Sequence, residues 1–109
     1  DEAVEETMTT LKYILAGIEA SGIEHINYID VSDRLSTALL YDNRVLLYMG
    51  SEVKLDSKFQ RAMEILDGEL DENFVGTLDL SIPNRGYASA KDVDSLMNQV
   101  YRQNYFKYE

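Results

Sequence analysis

The tetrapeptide Tyr41-Asp42-Asn43-Arg44 is the strongest local constraint on this chain. It lies between two β-rich runs in the stretch from Leu35 to Met49. Its central Asp and Asn tolerate the positive φ values of a tight hairpin turn. A hairpin here commits the middle of the chain to antiparallel sheet, and the segments on either side must pack on that sheet or extend it.

Before the hairpin, Val4, Met8, Leu11, Ile14, Leu15 and Ile18 recur at steps of three and four, which predicts a helix over residues 3–20 with one apolar face. Asp1, Glu2, Glu5 and Glu6 cluster at its start, where negative charge meets the positive end of the helix dipole. Gly22 is the expected left-handed terminator, and Gly17 is expected at a close packing contact. From Ile26 the period changes to two. Ile26, Tyr28 and Asp30 fall on one side and Asn27, Ile29 and Val31 on the other, which predicts a strand buried in part on both faces.

After the hairpin, Gly50-Ser51 breaks the strand. Phe59, Met63, Leu66 and Leu70, with Ala62 and Ile65 beside them, predict a second helix with Asp56 as its N-cap. Glu64, Asp67, Glu69, Asp71 and Glu72 surround Gly68 with no compensating base, so this helix is expected to end in a solvated acidic turn. Gly76 to Ile82 alternates, with Leu78, Leu80 and Ile82 on one face of a half-buried strand. Pro83 to Gly86 makes a turn, and Tyr87 to Lys91 returns as a short final strand suited to a sheet edge. From Asp92 onward, Val93, Leu96, Met97, Val100 and Tyr101 keep helical spacing, followed by Tyr105, Phe106 and Tyr108. That tail reads as a docking helix or a partly ordered extension. The predicted fold class is α+β: a two-layer domain with two main helices packed on a mainly antiparallel sheet of about five strands, plus a C-terminal tail or helix.

A chain of 109 residues, 45% of them hydrophobic, builds one domain around one core. The absence of cysteine excludes a disulfide scaffold, a thiolate zinc site and a cysteine nucleophile. A formal net charge of -10 repels a phosphate backbone, so nucleic acid is not an expected partner, nor is an anionic membrane surface. The apolar runs are far shorter than the roughly 20 residues that cross a bilayer. A chain that begins at Asp1 rather than Met is expected to be a processed product or a piece of something longer.

Catalytic signals are sparse. His25, the single histidine, has only Glu24 and Asp30 nearby in sequence, and reads as a surface or capping residue. Asp30, Asp33, Asp42 and Asp79 are the candidates for an acid and base pair of the glycosidase type, although any acidic chain offers such pairs. Residues 67–72 lack the ligand spacing of a calcium loop, and no Walker loop, GxGxxG or GxSxG occurs. Neither a metal nor a cofactor is implied. The eight tyrosines invite an interface reading instead. Tyr13, Tyr28, Tyr41 and Tyr48 belong to predicted elements, whereas Tyr87, Tyr101, Tyr105 and Tyr108, with Phe106, gather towards the C-terminus. Self-packing of a tail helix accounts for that gathering equally well.

Three strings together resemble a known family: residues 41–51 (YDNRVLLYMGS), residues 55–59 (LDSKF) opening the second helix, and residues 75–85 (VGTLDLSIPNR). They are similar to the extracytoplasmic β domain of the bacterial cell-division proteins FtsQ and DivIB over about residues 5–90. The family often has Arg where this chain has Ser81, and some members have Trp where it has Ala90. The resemblance implies residues 1–90 as the β domain and 91–109 as a tail or docking helix, with a membrane span and a POTRA domain upstream in a single-pass protein of a bacterial cell membrane. It implies a non-enzymatic divisome scaffold supporting septum formation. Its expected partners are bitopic proteins of the FtsB/DivIC and FtsL types, bound by β-strand addition to the last strand. The partner-binding residues so implied are Arg85, Gly86, Tyr87, Ala88, Ser89 and Ala90. Two other readings stand beside it: a small extracytoplasmic hydrolase using a carboxylate pair, and a generic acidic module for basic polypeptides.

Overall fold

The computed structural model describes residues 2–109, which run α1 (Glu2–Ser21), β1 (Ile26–Asp30), β2 (Thr37–Tyr41), β3 (Val45–Gly50), α2 (Leu55–Gly68), β4 (Gly76–Asp79), β5 (Tyr87–Ala90), α3 (Val93–Arg102) and β6 (Phe106–Lys107). The expected acidic contribution of Asp1 lies outside the described residues. One sheet holds all six strands in the order β5-β4-β3-β2-β1-β6. Every neighbouring pair is antiparallel except β3 and β4, which are parallel and joined through α2. The fold is therefore α+β with helices packed on a mostly antiparallel sheet, as the sequence predicts.

The β2–β3 turn forms as its residues dictate. Asp42 and Asn43 both take φ of 52°, and the Arg44 N–H donates to the Tyr41 carbonyl at 3.0 Å. Arg44 also lies across the strands: its Nε meets Asp42 at 2.9 Å, and its Nη1 donates to the Phe74 carbonyl at 2.9 Å. The second bond ties the chain entering β4 to the start of β3.

Alternation along the central strands divides the apolar residues between two cores. Leu39, Val45, Leu47, Met49, Leu78 and Leu80 face α1 and α2 and meet Ile14, Ile18, Phe59 and Ala62. Ala38, Leu40 and Leu46 face the other way and meet Leu96 and Val100 of α3. The tail is thus a helix that covers the second face of the sheet. It starts at Asp92, whose carboxylate accepts from the Ser95 N–H at 3.2 Å. Fully burying each large aliphatic side chain contributes about 1.5–3 kcal/mol, so both faces add to stability.

Several local expectations are corrected. In β1 the pairing register shifts between Ile26 and Tyr28, so a bulge at Asn27 turns Ile26 and Ile29 to the same core while Tyr28 packs on the α3 side. Asp56 is not the N-cap of α2: that position is Lys54, in a left-handed conformation with φ of 51° and without a side-chain cap. The acidic end of α2 is not without a base either, since Arg61 reaches forward to Glu69 at 2.7 Å and Glu64 at 3.2 Å. Val4 and Met8 are exposed, and Thr10 is the first buried residue of α1. Ile82 is also exposed, in the bend after β4, although Leu80 beyond the same strand end stays buried. The strand at Tyr87–Ala90 is not the last one, because β6 follows α3 and pairs with β1.

Two other expectations hold. Gly22 ends α1 with φ of 76° and donates to the Ile18 carbonyl at 3.1 Å. Gly17 lies where a Cβ would come within 2.5 Å of the Phe59 ring, so α1 and α2 cross closely there. Next to Phe59 in sequence, Lys58 is 1% exposed, with Nζ donating to the Ser51 carbonyl at 2.9 Å. Burial lowers its pKa, yet the bond holds the 51–54 turn against the helix.

Tyr105 packs against the α3-side core, and burial, more than the nearby Tyr48 and Asp30, raises its phenol well above the usual value of 10.0. Below that pH both folded and unfolded chains keep the proton. Above it the unfolded chain ionises first, so the contribution of Tyr105 falls as pH rises, by up to about 1.4 kcal/mol per unit. The lowered pKa of Lys58 acts with the opposite sign in the alkaline range, so a difference between variants isolates the tyrosine. In chemical denaturation from pH 9 to 11.5, native protein is expected to lose stability more steeply than Tyr105→Phe. Equal slopes would contradict this account.

Candidate protein-interaction site

Of the predicted interaction residues, Tyr87, Ala88, Ser89 and Ala90 form β5, one of the two outer strands of the sheet, and Arg85 and Gly86 lie in the segment before it. β5 pairs with β4 through Gly76 and Ala90, Thr77 and Ser89, Leu78 and Ala88, and Asp79 and Tyr87, and no strand among the described residues lies beyond it. All four residues of β5 are exposed. The tail does not cover this edge: α3 lies on a face of the sheet, and β6 forms the opposite edge. Ala88, Ser89 and Ala90 are therefore not small because they pack beneath the tail.

The bonds on either side of β4 fix which way the β5 backbone points. The Gly76 and Leu80 N–H groups donate to Arg44 and Tyr48 of the β3 side at 2.9 and 2.8 Å, so Val75, Thr77 and Asp79 present theirs towards β5. In agreement, the Val75 carbonyl accepts from the Lys91 N–H at 3.0 Å. With that register, Tyr87, Ser89 and Lys91 bond inward, and the N–H and C=O groups of Ala88 and Ala90 point away from the sheet. The outer edge offers two donors and two acceptors at alternate residues.

Side chains leave this edge approachable. Ala88 and Ala90 share the α1/α2 side with Leu78, while Tyr87 and Ser89 lie on the α3 side. Tyr87 is 55% exposed, and its hydroxyl receives a hydrogen bond from Arg85 at 3.3 Å. Gly86 is held where a Cβ would collide with the Ile65 side chain, and the turn before it includes Asn84 at φ of 66°. Arg85 and Lys91 bracket the strand with positive charge in an otherwise acidic chain.

The structure gives the other candidates local roles. His25 sits at φ of 65° on the surface, its carbonyl accepts from the Asp42 N–H at 2.7 Å, and its ring is edge-on to Tyr41. Its nearest carboxylate is Glu24 at 3.8 Å. Asp30 and Asp79 close strands in the same way, each taking the N–H and the hydroxyl of the serine two residues on, Ser32 or Ser81. Asp33 accepts from the Leu35 N–H, and Asp42 pairs with Arg44. Asp30, Asp33 and Asp79 line one polar cleft with Tyr48, Gln99 and Tyr105, and no histidine, lysine or arginine joins them there. Asp42 is absent from that cleft. No group of three or more metal-ligating side chains occurs among the described residues. Of the C-terminal tyrosines only Tyr105 packs against the second core cluster; Tyr87, Tyr101 and Tyr108 are exposed, although Tyr101 meets Tyr28 edge to face at 6.2 Å between centroids.

Sequence reading did not single out Gly76. A Cβ at that position would collide with the Ser89 carbonyl and crowd Ala90 Cα at 2.9 Å, so only glycine lets β5 lie this close to β4. The sole sequence signal was a glycine at the head of an alternating strand. Gly76→Ala is expected to lift β5, lowering the amide-exchange protection of Ser89 and Lys91 and costing about 1–3 kcal/mol in denaturation, with β1–β3 intact. Native-like protection of both amides would show that the contact is not needed. Comparison with protein-family models, curated proteins and solved structures found no match.

Proposed function

We propose that this domain is a non-catalytic scaffold that recruits bitopic cell-division proteins of the FtsB/DivIC and FtsL types by β-strand addition at β5. The observation that carries this reading is the open outer edge of β5, with the Ala88 and Ala90 main-chain groups directed outward and small side chains around them. Main-chain bonds to a partner strand supply affinity, and pockets for alternate side chains supply register and choice of partner. The resemblance of residues 41–51, 55–59 and 75–85 to the FtsQ/DivIB β domain supplies the identity of the partners. Under this reading the parent protein is anchored in a bacterial cell membrane with this domain on the extracytoplasmic side. No helix among the described residues is long and apolar enough to cross a membrane, so the anchor belongs to another part of that protein.

Six residues form the interaction segment: Arg85, Gly86, Tyr87, Ala88, Ser89 and Ala90. Within it Ala88 and Ala90 bond the partner main chain, while Tyr87 and Ser89 hold the strand to β4. Arg85 and Tyr87 offer side-chain contacts at the end of the partner strand.

Proline separates these roles. Ala88→Pro removes an outward donor that β4 does not use, and edge strands tolerate proline there. It is expected to keep a native circular dichroism spectrum and melting profile while weakening a FtsB/DivIC-type partner at least about tenfold in calorimetry. Ser89→Pro removes an inward donor and is expected to lower stability as well. Unchanged affinity in well-folded Ala88→Pro would refute strand addition at β5.

A further inference from the structure

We propose that the groove between α1 and α2, on the outer side of the helical layer, seats a basic amphipathic helix. This site is separate from the β5 edge and does not rest on its function. The groove has a volume of about 690 Å³. It opens because small residues form its floor: Ala16, Gly17 and Ala20 of α1, with Leu55 of α2 at one end.

The spacing of the walls indicates what shape fits. On α1 the lining positions Tyr13, Ala16, Gly17 and Ala20 follow i, i+3, i+4 and i+7. On α2, Asp56, Gln60, Met63, Glu64 and Asp67 follow i, i+4, i+7, i+8 and i+11. Each wall is thus one continuous helical stripe, distinct from the buried stripes of the same helices that face the sheet. Two such stripes on either side of a floor of small residues are a receiving surface for the ridge of a third helix.

Charge indicates what the occupant carries. Three carboxylates, Asp56, Glu64 and Asp67, stand along the α2 wall, and no lysine, arginine or histidine lines the groove. Glu64 is shared with Arg61 at 3.2 Å, whereas neither Asp56 nor Asp67 takes part in an ion pair among the described residues. A helix with an apolar face flanked by Lys or Arg places hydrophobic side chains over Ala16 and Ala20 and its cations along α2.

The test uses the folded chain and three 18-residue labelled peptides: a helix with a leucine seam flanked by lysines, a scramble of the same composition, and a form with glutamate for lysine. In fluorescence anisotropy at physiological salt, the lysine helix is expected to bind with Kd below about 100 µM, and the scrambled and glutamate peptides at least about tenfold more weakly. Ala16→Arg, an exposed change to a good helix former, is expected to weaken the lysine helix about tenfold or more at unchanged melting temperature. Asp56→Asn with Asp67→Asn is expected to flatten the salt dependence of binding. Ala88→Pro is expected to change none of this, which separates failure here from failure at the β5 edge. Absence of binding, equal binding of the scrambled peptide, or full binding by Ala16→Arg would overturn the proposal. Concentration-dependent dimerisation that Ala16→Arg abolishes would overturn it in favour of a second copy of the chain.

Discussion

The parallel pairing of β3 with β4 is the constraint on which the rest of this structure depends. Parallel neighbours cannot be joined by a tight turn, so the chain must leave the sheet, cross it as α2 and return beside its starting point. That crossover buries Phe59 and Ala62 against the sheet and brings α2 against Gly17 of α1, which closes the larger core. It also sets the direction of β4. The bonds from Gly76 and Leu80 to the β3 side direct the Thr77 and Asp79 main chain outward, and β5 is then added as an antiparallel edge whose unused groups belong to Ala88 and Ala90.

The two ends of the sheet are treated differently. At the β1 end the outer strand is β6, only two residues from the C-terminal tail, and the Tyr108 N–H donates to the Asn27 carbonyl at 2.7 Å, at the bulge. At the β5 end the outer strand is four residues long, and among the described residues no strand pairs with its outer side. Open edges are a liability that folds usually blunt with charge, proline or bulges. Here Arg85 and Lys91 flank the strand, and between them Ala88, Ser89 and Ala90 bring no charge and little bulk. Under the proposed function, this plain stretch is what a partner strand pairs with.

Much of this was legible in the sequence because it depends on local chemistry. The Asp42-Asn43 turn, the Gly22 terminator and the three-and-four spacing of Ile14 and Ile18 each act within a few residues. The candidate edge was legible for the same reason, as a turn and a short run of small residues. What escaped depends on contacts distant in sequence. The bulge at Asn27 follows from pairing with β2, and no period-two reading of Ile26 to Val31 contains it. Arg61 pairs with Glu69 across two helical turns, and the need for glycine at position 76 arises only when β5 folds back upon it. The tail was ambiguous because its apolar stripe has no partner until Leu40 and Leu46 present the second face of the sheet.

The central claim is that β5 holds two outward-facing backbone amides that a partner strand occupies. Residue-resolved amide exchange by nuclear magnetic resonance, with the domain free and saturated with an FtsB/DivIC-type partner, measures this directly. The account predicts that Ser89 and Lys91 are protected in both states, whereas Ala88 and Ala90 exchange fast in the free domain and become protected in the complex. Slow exchange of Ala88 and Ala90 in the free domain, or fast exchange in the saturated complex, would contradict it.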